Sequence, residues 1–166
     1  MLKPIKAKVF RAGDARFAIV ASQYNARYVD AMLEAAKAEL NCAGASEVLV
    51  VRVPGAYEIP VVVARLIRAA FPHASRITRR ASTPSAIICL GVILRGETVH
   101  AAHIGEAVSR ALMQIQVRHE VPIIHEVLLL ENEEQARARC LDPKRNRGRE
   151  AAQTALAMAQ VMAGLA

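Results

Sequence analysis

The apolar positions of this chain fall into two kinds of stretch. Four are short and nearly unbroken: Arg16–Ser22, Val48–Val53, Ala86–Leu94 and Val121–Leu130. Runs of that length, rich in Val, Ile and Leu and bounded by turn residues, read as strands buried on both faces. The third passes from Ala86–Leu90 through Gly91 into a second apolar patch, Val92–Leu94, and the fourth is broken by His125 and Glu126. Between the runs the apolar residues recur every three or four positions. Val29, Met32, Leu33, Ala36 and Leu40 predict a helix, capped by Asn25 and stopped at Gly44. Pro54 and Gly55 make a turn, and Tyr57, Glu58 and Pro60 open a second helix that Val61–Ala70 completes. A third runs from about Ala101 through Ile104, Val108, Leu112, Ile115 and Val117 and ends before Pro122. Glu131–Gln135 start an acidic helix carrying Arg137 and Arg139. A polar basic loop over 141–149 leads to an Ala-rich helix over Glu150–Leu165, with Met158 and Met162 in the core.

The order β-α-β-α-β-α-β-α-α predicts an α/β fold: a three-layer α/β/α sandwich, with a central four-stranded parallel sheet, helices on both faces and right-handed crossovers. Three strand ends then converge on one rim, at Ser22–Asn25, Gly55–Glu58 and Val92–His100, and His125–Glu131 adds a fourth. Residues 1–14 read as an N-terminal arm, in which Lys8–Phe10 has the makings of a short edge strand. Residues 15–166 read as a single domain. Residues 71–84 form a long basic loop, an insertion by the standards of α/β connections.

Composition narrows the picture. With 166 residues, 54% of them apolar but only 4% aromatic, the chain can bury a core of small side chains, and part of its stability is expected from subunit contacts. Cys42, Cys89 and Cys140 show neither disulfide nor metal spacing, which fits a reduced, cytoplasmic setting. No run approaches a membrane span, and the N-terminus has no apolar core of a secretory signal. The net charge of +7 sits largely in Arg76, Arg79 and Arg80 and in Lys144, Arg145, Arg147 and Arg149. Both clusters read as solvated loop charge; nucleic-acid binding through Arg76, Arg79 and Arg80 is one rival reading, against which that loop has no interleaved aromatics and no module signature.

The chemistry concentrates between Ala86 and Ile104. A buried strand gives way to Arg95, Gly96, Glu97, Thr98 and His100, and then to a helix. A helix start beyond the carboxyl end of a parallel strand offers free N–H groups to an anion. Arg95 adds a cation, Thr98 a hydroxyl, and His100 a group that titrates near neutrality.

These residues resemble a known family. Pro54–Pro60, the segment Gly91–His100 with its Arg-Gly-x-Thr-x-His pattern, Glu134–Arg139, and Asn146–Ala152 are similar in order and spacing to the 6,7-dimethyl-8-ribityllumazine synthases, over about 15–165. The resemblance implies a flavodoxin-like fold. It implies the penultimate step of riboflavin biosynthesis: 5-amino-6-(D-ribitylamino)uracil condenses with 3,4-dihydroxy-2-butanone 4-phosphate. A Schiff base forms, phosphate leaves, and the ring closes with loss of water, without metal or organic cofactor. By the same resemblance Tyr24 stacks on the uracil, Ala56, Tyr57 and Glu58 line the ribityl chain, and Val92, Ile93 and Leu94 present backbone groups to the pyrimidine. Glu97 and Thr98 hold the phosphate at the helix start, Arg139 reaches it from a neighbouring subunit, and His100 moves protons. Further implications are pentamers, assembled into sixty-subunit icosahedral shells, and a product passed to riboflavin synthase.

Four departures stand out. His125 occupies a position where many members stack an aromatic ring, and Ala102 one where an acidic residue is usual. Leu129–Leu130 replace a Thr-rich strand end, and Arg147 replaces a Lys. Ala102 and His125 leave room for a rival reading, a non-catalytic shell or flavin-binding carrier. Tyr24, Glu58, Thr98, His100 and Arg139 argue for the enzyme.

Overall fold

A computed structural model describes residues 11–69 and 83–165, and four parallel strands run through their centre. These are β1 (Phe17–Ser22), β2 (Val48–Val53), β3 (Ala86–Leu94) and β4 (Ile123–Leu130), in the spatial order β2-β1-β3-β4. The helices are α1 (Ala26–Cys42), α2 (Ile59–Ala69), α3 (His100–His119), α4 (Glu133–Ala136) and α5 (Arg147–Ala163). The expected strand over Lys8–Phe10 and the basic loop up to residue 82 lie outside the described residues.

Alternation along the strands assigns the layers. Ile19, Ala21, Ile88 and Leu90 point toward α1 and α5, in a cluster with Met32, Leu40, Ala152 and Leu156. Ala18, Val20, Ile87 and Cys89 point the other way, toward Ile59, Val63 and Ile67 of α2 and Val108 and Leu112 of α3. The result is the expected three-layer α/β/α sandwich of flavodoxin-like type. α5 meets α1 mainly through alanines, and Gly148 marks their closest approach: a Cβ there would lie 1.9 Å from the Met32 carbonyl oxygen. Met158 and Met162 are only half-buried, at the margin of this layer.

Several elements differ from the reading of the sequence. β3 is one continuous nine-residue strand, because Gly91 keeps its register opposite Val127 of β4. Its missing side chain makes room: a Cβ would sit 3.1 Å from Val127 Cγ1 and 3.5 Å from Ala56 Cβ. β4 is not broken by His125 and Glu126. His125 points to the exposed side beside α3, and Glu126 is buried toward α5 against an arginine. The acidic helix is a short α4 that opens into a wider π-helical turn, Arg137–Leu141. α5 begins at Arg147 instead of Glu150, capped by the Asn146 side chain on the Gly148 N–H at 2.9 Å.

The connection β1-α1-β2 leaves β1 on one side, and the next crossover carries the chain past β1 to place β3 on the other. The chain therefore reverses direction across the sheet between β1 and β3. In open parallel sheets, ligands bind outside the carboxyl ends of the strands at such a switch point.

Candidate active site

A groove of about 1290 Å³ opens at that point. Ligand pockets usually hold roughly 300–1,000 Å³, so there is room for two small molecules side by side. Its floor is the end of β3, Val92–Leu94. Its walls are Tyr24 and Asn25 from the β1-α1 loop, Gly55–Glu58 from the turn after β2, and one face of α3.

Each wall is fixed by identifiable bonds. The loop after β1 is tied to β2 by Gln23 N–H to the Val53 carbonyl at 2.7 Å and Tyr24 N–H to Pro54 at 3.0 Å. This leaves the Tyr24 ring 74% exposed on the rim. Asn25 does not cap α1 with its side chain. It takes a left-handed backbone (φ 57°), which asparagine tolerates, and its Nδ2 donates to the Val92 carbonyl at 2.8 Å. The loop is thus bolted to the floor, and Val92 has that carbonyl engaged before any pyrimidine arrives.

The 3-10 turn Ala56–Glu58 is closed by Glu58, whose Oε2 accepts from Gly55 N–H at 2.9 Å. A Cβ at Gly55 would lie 2.9 Å from the same oxygen, so a larger residue would push the Glu58 carboxylate aside. Glu58 is therefore both a clamp and a carboxylate facing the groove. Tyr57 projects at 63% exposure and Ala56 packs beneath.

At the start of α3, Thr98 and His100 line the groove. The Thr98 hydroxyl accepts from His100 N–H at 3.4 Å, and the first turn carries no acidic residue. Free N–H groups and the positive dipole end make this a favourable place for an anion. The His100 ring is exposed and makes no hydrogen bond among the described residues. Ala102, two residues on, supplies no carboxylate to orient it.

The remaining candidates lie elsewhere. Glu97 is exposed and does not line the groove. Arg95 is no anion ligand here: its Nη1 donates to both Glu131 oxygens, at 2.9 and 3.0 Å. His125 sits on edge strand β4. Its Nε2 lies 2.9 Å from Ser109 Oγ, whose hydroxyl also donates to the Gly105 carbonyl at 2.7 Å. Arg139 projects from the π-helical turn on the opposite side of the sheet, exposed and without an ion pair to any described residue. Within one protomer the structure gathers Tyr24, Ala56, Tyr57, Glu58, Val92, Ile93, Leu94, Thr98 and His100, and not Glu97, His125 or Arg139.

Sequence reasoning missed two features. Asn25 was expected as a cap, and only the left-handed backbone explains why its amide turns to β3. The α3 wall continues through His103, Ile104, Ala107, Arg110, Ala111 and Gln114. Its signal was available, since these positions follow His100 at helical spacing on one face.

The second basic cluster is largely neutralised. Arg145 pairs with Asp142 at 2.8 Å, Arg147 with Glu126 at 2.7 Å, and Arg149 with Glu39 at 3.9 Å. Burial pushes the Cys140 thiol up to about 11 and Cys89 higher still, so neither is a nucleophile.

Comparison with known proteins finds relatives over nearly the whole chain. The family model described as 6,7-dimethyl-8-ribityllumazine synthase matches residues 14–163. The chain is 39% identical over 150 residues to the 6,7-dimethyl-8-ribityllumazine synthase of Stenotrophomonas maltophilia strain R551-3, covering 89% of each chain. It is 36% identical over 154 residues to that of Xanthomonas oryzae pv. oryzae strain PXO99A, and 38% identical over 154 residues to that of Xanthomonas campestris pv. campestris strain B100, covering 92% of each chain in both cases. With the switch-point groove in place and the match running from β1 to the end of α5, the chain belongs to the 6,7-dimethyl-8-ribityllumazine synthase family.

Proposed function

We propose that this groove condenses 5-amino-6-(D-ribitylamino)uracil with 3,4-dihydroxy-2-butanone 4-phosphate, releasing phosphate and water and forming 6,7-dimethyl-8-ribityllumazine. The observation that carries the assignment of roles is the convergence of Tyr24, Glu58, Thr98 and His100 on one groove at the topological switch point.

Tyr24 offers an exposed aromatic face to the pyrimidine. The backbone of Ile93 and Leu94 reads the pyrimidine edge, with the Val92 carbonyl reserved for Asn25. Ala56, Tyr57 and Glu58 take the ribityl chain, the free carboxylate oxygen of Glu58 accepting from its hydroxyls. The phosphate lies at the α3 start against Thr98 and the N–H groups of the first turn. Glu97 contributes its backbone there, its carboxylate turned out to solvent. His100 stands between the two substrates and moves protons as the Schiff base forms, as phosphate leaves and as water is lost.

Within a single protomer the phosphate lacks its arginine and the uracil its second ring. We infer that a neighbouring copy supplies Arg139 and His125, as a homo-oligomer with sites between subunits requires. The apolar residues left exposed beside the groove and along α3 and β4, Val61, Val99, Met113, Val117 and Leu129, support such an interface. A ring of five, and a sixty-subunit shell built from it, is the assembly this reading favours. No helix among the described residues is long and apolar enough to cross a membrane, and the three free cysteines support a cytoplasmic location.

Incubation with both substrates tests the function. Lumazine and inorganic phosphate are expected in equal amounts, at a rate above the uncatalysed condensation. Binding of the uracil without turnover would establish the carrier reading in its place. Native mass measurement tests the assembly, with a monomer as the contrary result.

A further inference from the structure

β4 carries one carboxylate into the packing layer. Glu126 is 6% exposed and is the one buried charged residue among those described. Its side chain points toward α5, between Ile124 and Leu128. Both oxygens accept from Arg147, Oε1 from Nη2 at 2.7 Å and Oε2 from Nε at 3.0 Å, and Arg147 Nη1 donates to Glu150. All three nitrogens of that guanidinium are therefore engaged.

The residue before Arg147 extends the chain of contacts. Asn146 receives Gly148 N–H on Oδ1, while its Nδ2 donates to the Cys140 carbonyl and to the Ala31 carbonyl at 3.3 Å. Cys140 lies in the π-helical turn directly after Arg139. A π-turn is rare and frequent at functional sites, and here Asn146 grips one of its carbonyls.

Stability does not account for the bracket. A buried ion pair is often matched or bettered by apolar residues of similar size. Position gives a better reason. Two carboxyl groups, Glu126 and Glu150, grip one guanidinium, Arg147, at the start of α5. Asn146 beside it grips the turn that carries the exposed Arg139.

We propose that Glu126 is a positioning residue for the phosphate-binding Arg139: its fork with Arg147 sets the start of α5, and Asn146 passes that position to the turn carrying Arg139. The inference rests on the phosphate role of Arg139 proposed above.

The test is steady-state kinetics with each substrate varied in turn, on the assembled enzyme and its Glu126→Gln, Arg147→Lys and Arg139→Ala variants. Glu126→Gln should raise the KM for butanone phosphate by roughly three- to tenfold, the size of an indirect effect relayed through neighbours. The KM for ribitylaminouracil and kcat should stay within about twofold. Arg147→Lys keeps the charge but loses the planar fork. It should move the same KM in the same direction by less, and it carries the test should Glu126→Gln not fold. Equal rises in both KM values, or a lowered Tm with neither KM changed, would overturn the proposal. An Arg139→Ala variant with normal butanone-phosphate KM would bring down the phosphate reading itself, and the bracket with it.

Discussion

At the scale of single residues, the groove separates groups that build it from groups that act in it. Asn25 and Gly55 build: one is bolted to β3, and the other makes room for the Glu58 clamp. His100 is the residue proposed to act, and no described carboxylate stands behind it. Replacing His100 with Ala should slow turnover by about ten- to a thousandfold, toward the low end, with both KM values little changed. Steady-state rates measure this, and undiminished kcat would remove His100 from the chemistry. Arg139→Ala should instead raise the KM for butanone phosphate with a smaller change in kcat. The placement of Thr98 and His100 in the groove was legible in the sequence because Gly96, Thr98 and His100 are contiguous with the strand. The fate of Arg95 was not, because its partner Glu131 is thirty-six residues away and reaches it only through the pairing of β3 with β4.

At the scale of elements, the four strands and the long helices follow from apolar periodicity, which long buried segments write plainly. What periodicity cannot show is a polar residue buried by a distant partner. His125 and Glu126 look like a break in β4, yet the strand runs through them, because Ser109 takes the histidine and Arg147 the glutamate. Likewise, nothing near Gly148 announces that Met32 of α1 lies against it. Gly148→Ala should therefore destabilise the fold by about 3 kcal/mol or more, since the added carbon meets backbone that cannot yield. Denaturant unfolding checks this, and an unchanged midpoint would refute the α1–α5 contact. The same method reads Glu126. Burial raises its carboxyl above the ordinary value of 4.5, with Arg147 opposing. A carboxyl with a raised folded pKa stabilises fully below its unfolded pKa, and that contribution is lost as the pH rises through the folded one. Stability of the wild type should fall across that window, and in Glu126→Gln the fall should disappear. Parallel pH profiles in the two proteins would contradict the burial argument.

At the scale of the whole molecule, the sheet order places the groove before any side chain is considered. β1 and β3 are neighbours whose connections run to opposite sides, so the crevice between their carboxyl ends is where a ligand binds. The sequence showed which strand ends would share a rim. It did not show that β4 would form an edge with His125 outward, or that Arg139 would fall on the other side of the sheet. Those placements depend on strand order, which periodicity leaves open. They are also why the proposed site calls on a neighbouring copy for Arg139 and His125, and why the exposed apolar face along α3 matters to that reading. The most direct test of the account is to mix the purified protein with ribitylaminouracil and butanone phosphate and follow product and phosphate together. Matched release of lumazine and phosphate, fast in the wild type and slowed in His100→Ala, is the result the account predicts. Uracil binding at the groove with no lumazine formed above the uncatalysed rate would contradict it.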